Sequence, residues 1–549
     1  MARAADYPPP FRAADFVGLP TDPPDEAIAV GVLIVGAGPA GLACAIRLGQ
    51  LLGDHPEVAG SLGEVPVAVA EKGRHPRSLA TLLRGEVAVE DIPGYGPVTD
   101  EAVWIMSRTR ALPIPPPPPM RNGGNLVFSL SRLGRWLAER AEQGGAMVLP
   151  ETTARTLLVR DGAVVGVRTG DKGRGPAGEE LRTFEPGSDI VARVTVLAEG
   201  TQGHLTGVAL DHFGLRPRDP QVWELGVKEV WRVPRPLGRT IHTMGWPLRS
   251  GSRYREFGGS FLYPMGPDML TIGMVVGLDY RDPTLSVHDL LQELKTHPRI
   301  RPLLEGGERL EWGAKTIPSG GYHALPRRLH VPGLLLCGDG AGMVSIPTLK
   351  GVHYAVESGR LAAEAAFAAL RDGADLGGYD DAVRRSFITR DLHEVRDMRQ
   401  VFGRGFFVGG ALAGVMAATR GRVSVGRLRN ERDDGQPLLP VPAGASAERV
   451  EPDGVLTFDK LSSVFASGNA TRDDQPNHIV LAERVPPDVA ESWVNLCPAQ
   501  VYRRGPVGGD GLVTVEMAPS NCVQCGAITA RGGRLTPPEG GSGPEYQLS

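Results

Sequence analysis

Three glycines and a glutamate form the first group of residues able to do chemistry. Gly36, Gly38 and Gly41 stand in the run Val35-Gly-Ala-Gly-Pro-Ala-Gly-Leu42, and Glu71 follows 30 residues after Gly41. In such a run the first glycine permits a tight turn and the second lets backbone approach a pyrophosphate. The third lets a helix pack closely on a strand. A pyrophosphate then rests on the helix N-terminus, where free amides and the dipole favour an anion. Glu71 would accept ribose hydroxyls. Its spacing is longer than usual, and the polar loop at residues 52–64 supplies the surplus. A dinucleotide site is the expectation, with a glycine-rich core turn as the bland alternative.

The second group is sulfur. Three of the five cysteines fall in the last 53 residues: Cys497 before Pro498, then Cys522-Val-Gln-Cys525 after 24 intervening residues. Thiolates at this spacing suit iron–sulfur or zinc. A 4Fe–4S cluster usually takes four cysteines, and the next slot of the C-x-x-C-x-x-C pattern is Ile528. Three readings stay open. The site holds a 3Fe–4S cluster or a 4Fe–4S cluster with a non-cysteine fourth ligand; it is decayed and empty; or it holds zinc. Cys44 and Cys337 lie in apolar runs and read as core packers.

These groups need elements to position them. Ala29 to Val35 is a short apolar run suited to a strand buried on both faces. A helix follows from Leu42, and Val65 to Ala70 is a second strand, giving a βαβ unit. Residues 333–338 form another apolar strand, entering Gly338-Asp339-Gly340, with a long helix from Val356 to Leu370. Cys337-Gly338-Asp339 resembles the second FAD motif of large flavoproteins, whose aspartate binds the ribitol. Ala198-Glu199-Gly200 resembles a third such segment. A turn or N-cap is the alternative role for Asp339. Together the three segments favour FAD.

The proline-rich residues 112–119 are expected to be extended, near polyproline II. Residues 405–419 are 15 uncharged residues between Arg404 and Arg420. As a helix they would measure about 22 Å, short of a bilayer core of about 30 Å. They fit either a buried core helix or a helix dipping into one leaflet. Residues 430–454 turn charged and then proline-rich, as a linker does.

Composition narrows the classes. The 549 residues, 41% apolar and 22% charged, exclude wholesale disorder and suggest several domains. A net charge of −4 gives no reason to expect a nucleic-acid partner. Five cysteines exclude a disulfide scaffold. The N-terminus lacks the apolar core of a signal peptide and is too acidic and proline-rich for a transit peptide. The chain is expected to be made and kept in a bacterial cytoplasm.

From about Ile28 to Tyr546 the chain resembles the electron transfer flavoprotein–ubiquinone oxidoreductases. Among the shared phrases are Ala198-Glu-Gly-Thr-Gln-Gly-His-Leu205, His242-Thr-Met-Gly-Trp-Pro-Leu248, Gly258-Gly-Ser-Phe-Leu-Tyr263 and Asn521-Cys-Val-Gln-Cys525. The resemblance implies an α/β and α+β multidomain fold. A Rossmann-type FAD-binding domain is interleaved with a β-rich quinone-binding domain, and a C-terminal ferredoxin-like cluster domain follows. The expected boundaries are an N-terminal extension at 1–27 and an FAD-binding domain at 28–110, 140–220 and 325–400. Residues 111–139 and 221–324 are assigned to the quinone domain, 401–429 to a membrane-associated segment, 430–454 to the linker and 455–549 to the cluster domain.

The resemblance also implies a reaction. Electrons enter from reduced electron transfer flavoprotein and leave on ubiquinone or another quinone, at the cytoplasmic face of a bacterial inner membrane. No catalytic acid–base dyad is required. By position, Gly258 and Gly259 should line the quinone pocket, with a strand bulge as the bland alternative. Cys497, Cys522 and Cys525 fall on three of four cluster ligands, and Ile528 on the fourth. The proline run up to Met120, with Phe406-Phe407, resembles the family's membrane-facing elements. The stretch after Glu71 through Arg84-Gly85 departs from the family's FAD-contacting segment. Two other functions are weighed. One is an FAD-dependent reductase or hydroxylase of an apolar, polyprenyl-type substrate without a working cluster; the other is a non-catalytic assembly subunit.

Overall fold

Ile28–Val35 carries six consecutive buried residues, so both faces of this strand must be covered. It lies at the centre of a nine-stranded sheet, parallel to Val67–Ala70 on one side and to Asp189–Leu197 on the other. Leu334–Leu336 adds a further parallel strand on Asp189–Leu197. A computed structural model describes residues 1–23, 26–73, 93–348, 350–440 and 450–548. Arg84 and Gly85, and residues 441–449 of the expected linker, lie outside the described residues.

Two long helices among those packed on this sheet position the site. Pro39–Asp54 begins directly after the glycine turn, with proline at its start where no amide bond is lost. Val352–Asp372 crosses it, four residues longer at its start and two at its end than the sequence suggested. The crossing is close because of Gly359, where a Cβ would sit 2.0 Å from the Ala40 carbonyl oxygen.

The second sheet has seven strands, in the order Glu308–Pro318, Trp223–Arg232, Met269–Gly277, Gly258–Pro264, Thr240–Gly245, Glu101–Met106 and Ala111–Ile114. Its core is continuous with that of the C-terminal segment: Trp231 and Trp312 of the sheet share one cluster with Trp493, Cys497 and Val513.

Three expected boundaries are corrected. Strand Glu101–Met106, placed in the FAD-binding domain, pairs in parallel with Thr240–Gly245 and belongs to the second sheet. Helix Leu130–Gln143, placed in the quinone domain, buries Leu133, Leu137 and Ala141 in the first core. The N-terminal extension is not free: Val17–Gly18 pairs with Leu157 and Leu158 at the sheet edge. An edge strand's bare amides and carbonyls favour such a partner. The proline run is extended only in part, since Ala111–Ile114 is a strand but Pro118–Met120 turns as a 3-10 helix.

Candidate functional site

The glycine turn is built as its spacing requires. Gly36 has φ +105°, and a Cβ there would sit 2.5 Å from the Ala198 carbonyl oxygen. Gly38 caps helix Pro39–Asp54 in an extended conformation. A Cβ on Gly41 would come within 1.9 Å of the Gly36 carbonyl oxygen. Glu71 stands beside the turn: its carboxylate accepts from the amides of Ala37 and Gly73, both at 2.8 Å. Each oxygen keeps a lone pair for a ribose hydroxyl.

Gly36 and Glu71 open onto a cavity. Its far wall is the C-terminal segment, through Gln524, Gly526 and Leu535 to Pro538. The cavity holds polar atoms that lack partners among the described residues: both side-chain atoms of Gln202 and Nδ1 of His204. Gln202 sits at φ +53°, an uncommon conformation for a side-chain-bearing residue. Burial pushes the His204 imidazole down to about 3, so it is neutral at ordinary pH. A cavity with a glycine turn, a positioned carboxylate and orphaned polar atoms fits a dinucleotide such as FAD.

Gly338 and Asp339 do not line this cavity. Their turn, Gly338–Ala341, lies against the start of the same helix, with a Gly338 Cβ 3.2 Å from that of Ala40. Burial raises the Asp339 carboxyl to about 6, and Lys315 opposes the shift. Glu199 lines the cavity but spends its carboxylate on the amides of Leu205 and Thr206, at 3.1 and 2.7 Å, and on the Thr206 hydroxyl.

The three cysteines come together. Cys497, Cys522 and Cys525 line one cavity, and Ile528 lines it with them. The amides of Val501 and Gln524 point at the sulfurs of Cys497 and Cys522, each at 3.4 Å. Such N–H···S contacts are a means by which proteins tune iron–sulfur centres. Among the described residues no three His, Cys, Asp or Glu side chains close on a single ion. The thiols instead ring a space. Without metal, burial holds all three thiols protonated, Cys525 at about 12. The donor set fits an iron–sulfur cluster with three cysteine ligands.

The two cavities adjoin, with Gly526 and Leu535 walling both. Strand Glu308–Pro318 fixes that wall. The Thr316 amide and hydroxyl donate to the Cys525 carbonyl at 2.8 and 2.9 Å, and Lys315 donates to the Gln524 carbonyl at 2.9 Å. Lys72 reaches the Gln524 side chain at 3.0 Å. Lys72 and Lys315 had no signal in the sequence, and Gln202 and Gln524 stood within shared phrases without a role, since each gains its place only when distant segments meet.

Two family models match the chain. One, described as ETF-QO, ubiquinone-binding, covers residues 223–317. The other, described as electron transfer flavoprotein-ubiquinone oxidoreductase, 4Fe-4S, covers residues 454–547. The mitochondrial electron transfer flavoprotein-ubiquinone oxidoreductase of Oryza sativa subsp. japonica is 34% identical over 95% of this chain and 93% of its own. That of Rattus norvegicus is 36% identical over 94% and 88%. The chain belongs to the electron transfer flavoprotein–ubiquinone oxidoreductase family. With membership come the family's FAD and iron–sulfur centre, for which the two cavities supply fitting residues. Among solved structures, a geranylgeranyl bacteriochlorophyll reductase-like protein of Thermoplasma acidophilum aligns with a TM-score of 0.53 at 16% identity. It covers 72% of this chain and 93% of its own, and it shows the fold alone.

Within the family's ubiquinone-binding region, Gly258 and Gly259 sit in an unbroken ladder opposite Val276 and Val275, so neither forms a bulge. A Cβ would come 2.0 Å from the Val275 carbonyl oxygen at Gly258 and 2.3 Å from that of Thr243 at Gly259. Close strand approach alone therefore requires glycine at both positions.

Helix Phe406–Ala418 is not a core helix. Only Gly409 and Met416 are buried, while Phe407 is 73% exposed, Val408 54% and Val415 52%. The Pro118–Met120 turn lies against it. Among the described residues no helix is long and apolar enough to cross a membrane.

Proposed function

We propose that this chain oxidises reduced electron transfer flavoprotein and passes the electrons to ubiquinone at a membrane surface. The observation that carries the reading is the pair of adjoining cavities, one under the glycine turn and one ringed by cysteines, with Gly526 and Leu535 between them. FAD, when bound, supplies a carrier able to exchange electrons singly or in pairs. The chain's own residues do the rest. Glu71 would hold the ribose, and the amides at the start of helix Pro39–Asp54 would receive the pyrophosphate. Residues of the segment 524–538 wall the cavity on one side. Cys497, Cys522 and Cys525 would hold the cluster, and the glycine-lined strands around Gly258 and Gly259 would receive the quinone.

The relatives at 34% and 36% identity are named for ubiquinone reduction, so the reading as a lipid reductase or hydroxylase is not carried further. FAD-loaded protein should oxidise reduced electron transfer flavoprotein and reduce a short-chain ubiquinone in the same cuvette. Oxidation without quinone reduction, or no reaction with either, would sink the proposal.

Membrane docking rests on helix Phe406–Ala418, flanked by Arg404, Arg420 and Arg422. An apolar face rimmed by arginines suits one leaflet carrying anionic lipid. In the cell this would be the cytoplasmic face of a bacterial inner membrane. The double variant Phe407→Glu, Val408→Glu should bind anionic phospholipid vesicles at least about 10-fold more weakly, given about 1.5–3 kcal/mol per buried apolar side chain. Co-sedimentation measures this. Unchanged vesicle binding with unchanged flavin content would refute the docking face.

A further inference from the structure

Ile528 sits where a four-cysteine site would place its last ligand. Its side chain is buried and lines the cavity of Cys497, Cys522 and Cys525. It belongs to the short helix Ala527–Ala530 and has little room to move. On its other side, a Cβ on Gly533 would come 2.6 Å from Ile528 Cγ1. Beside Gly526 and Tyr502, the rest of the wall is Leu496, Ala499, Val501, Val523, Ala527 and Leu535, all apolar, and among these lining residues Tyr502 alone has a side-chain oxygen.

Three thiolates satisfy three irons of a cubane. A fourth iron needs its own ligand, from a side chain or from bound water. Isoleucine supplies neither a donor atom nor a hydrogen-bond partner for water, and buried water needs two to four polar partners. An isoleucine side chain also takes the wall position that a fourth protein ligand would need.

We infer that this chain binds a three-iron cluster, 3Fe–4S, through Cys497, Cys522 and Cys525, with Ile528 packed against the missing corner. The inference rests on the iron–sulfur reading of the site and goes beyond it in assigning the nuclearity to one residue. On ligation each thiol gives up its proton and forms one Fe–S bond, and no fourth protein bond is made. The site thus differs from a four-cysteine cluster by one iron, in the wall that it shares with the flavin cavity.

The test is to purify the full chain anaerobically and measure flavin, iron and acid-labile sulfide, with low-temperature EPR before and after reduction. The expected result is about three irons and about four sulfides per FAD, with a paramagnetic oxidised state that disappears on one-electron reduction. In the variant Ile528→Cys the iron should rise to about four per FAD, and the paramagnetism should move to the reduced form. About four irons per FAD in the wild-type protein, with a signal only after reduction, would overturn the three-iron assignment and leave the cluster reading standing. No iron or sulfide, even after reconstitution with ferrous iron and sulfide, would overturn both. The wild-type measurements decide the matter alone, and flavin content reports whether the variant has folded.

Discussion

The Gly41→Ala variant is expected to be purified without flavin. The added methyl would lie 1.9 Å from the Gly36 carbonyl oxygen, 3.1 Å from its carbon and 3.1 Å from Ile34 Cγ2. The first two are backbone atoms of the turn itself, so no side chain can rotate away. Either helix Pro39–Asp54 lifts from strand Ile28–Val35 or the turn opens. Overpacking of this kind costs about 1–3 kcal/mol and occasionally more. Both escapes move the helix N-terminus that would receive the pyrophosphate. A loss of about 3 kcal/mol in binding corresponds to roughly a hundredfold in affinity.

A control sits in the same helix. Among the described residues, nothing beyond its own helix backbone and chain neighbours stands within 4 Å of a Cβ on Gly53, so Gly53→Ala should keep its flavin. It should also hold or raise stability, by up to about 1 kcal/mol from helix propensity. Flavin absorbance per mole of protein and thermal unfolding by circular dichroism check both. Gly41→Ala with full flavin and an unchanged Tm would show that the close approach at this turn is not required.

That contrast shows what the sequence could reveal. The turn was legible because its requirements are local: a strand, a glycine spacing and a helix within twenty residues. Cys522 and Cys525 were legible for the same reason, and Cys497 by its residue type in a chain with few cysteines. Glu71 stands beside the turn because a parallel βαβ unit brings the end of the second strand there. Strand Glu101–Met106 was misassigned because its partner, Thr240–Gly245, is far away in sequence, and alternation of apolar residues says nothing about which sheet a strand joins. The exposed helix Phe406–Ala418 was undecidable for another reason. It is apolar all round, so no periodic face distinguishes a core helix from one laid on lipid. The wall shared by the two cavities was invisible because it forms only when residues 524–538 meet the glycine turn and strand Glu308–Pro318.

What holds that wall in place leads to the second large effect. Arg531→Ala is expected to destabilise the protein by at least about 3 kcal/mol, with several backbone carbonyls losing their donor. Arg531 is 1% exposed, and its guanidinium donates to the carbonyls of Leu278 at 2.8 Å, Tyr280 at 3.2 Å and Asp433 at 2.9 Å. It also donates to the Ser492 hydroxyl at 3.1 Å and lies 4.7 Å from the Tyr280 ring centre. These partners belong to the residues just after strand Met269–Gly277, the segment after the apolar helix, and helix Pro487–Leu496. One side chain therefore ties three parts of the chain to the segment that continues into the cavity wall at Leu535–Pro538. Loss of the arginine should lower the Tm and speed flavin release together, because the wall loosens as its anchor goes. Arg531→Lys should recover only a fraction, since a single ammonium cannot fan out to four acceptors as a planar guanidinium does. Thermal unfolding, with flavin release followed by fluorescence, measures both effects. An alanine variant that unfolds at the wild-type temperature would show that the wall is held elsewhere. One that unfolds early yet keeps its flavin would show that the C-terminal segment does not close the cavity.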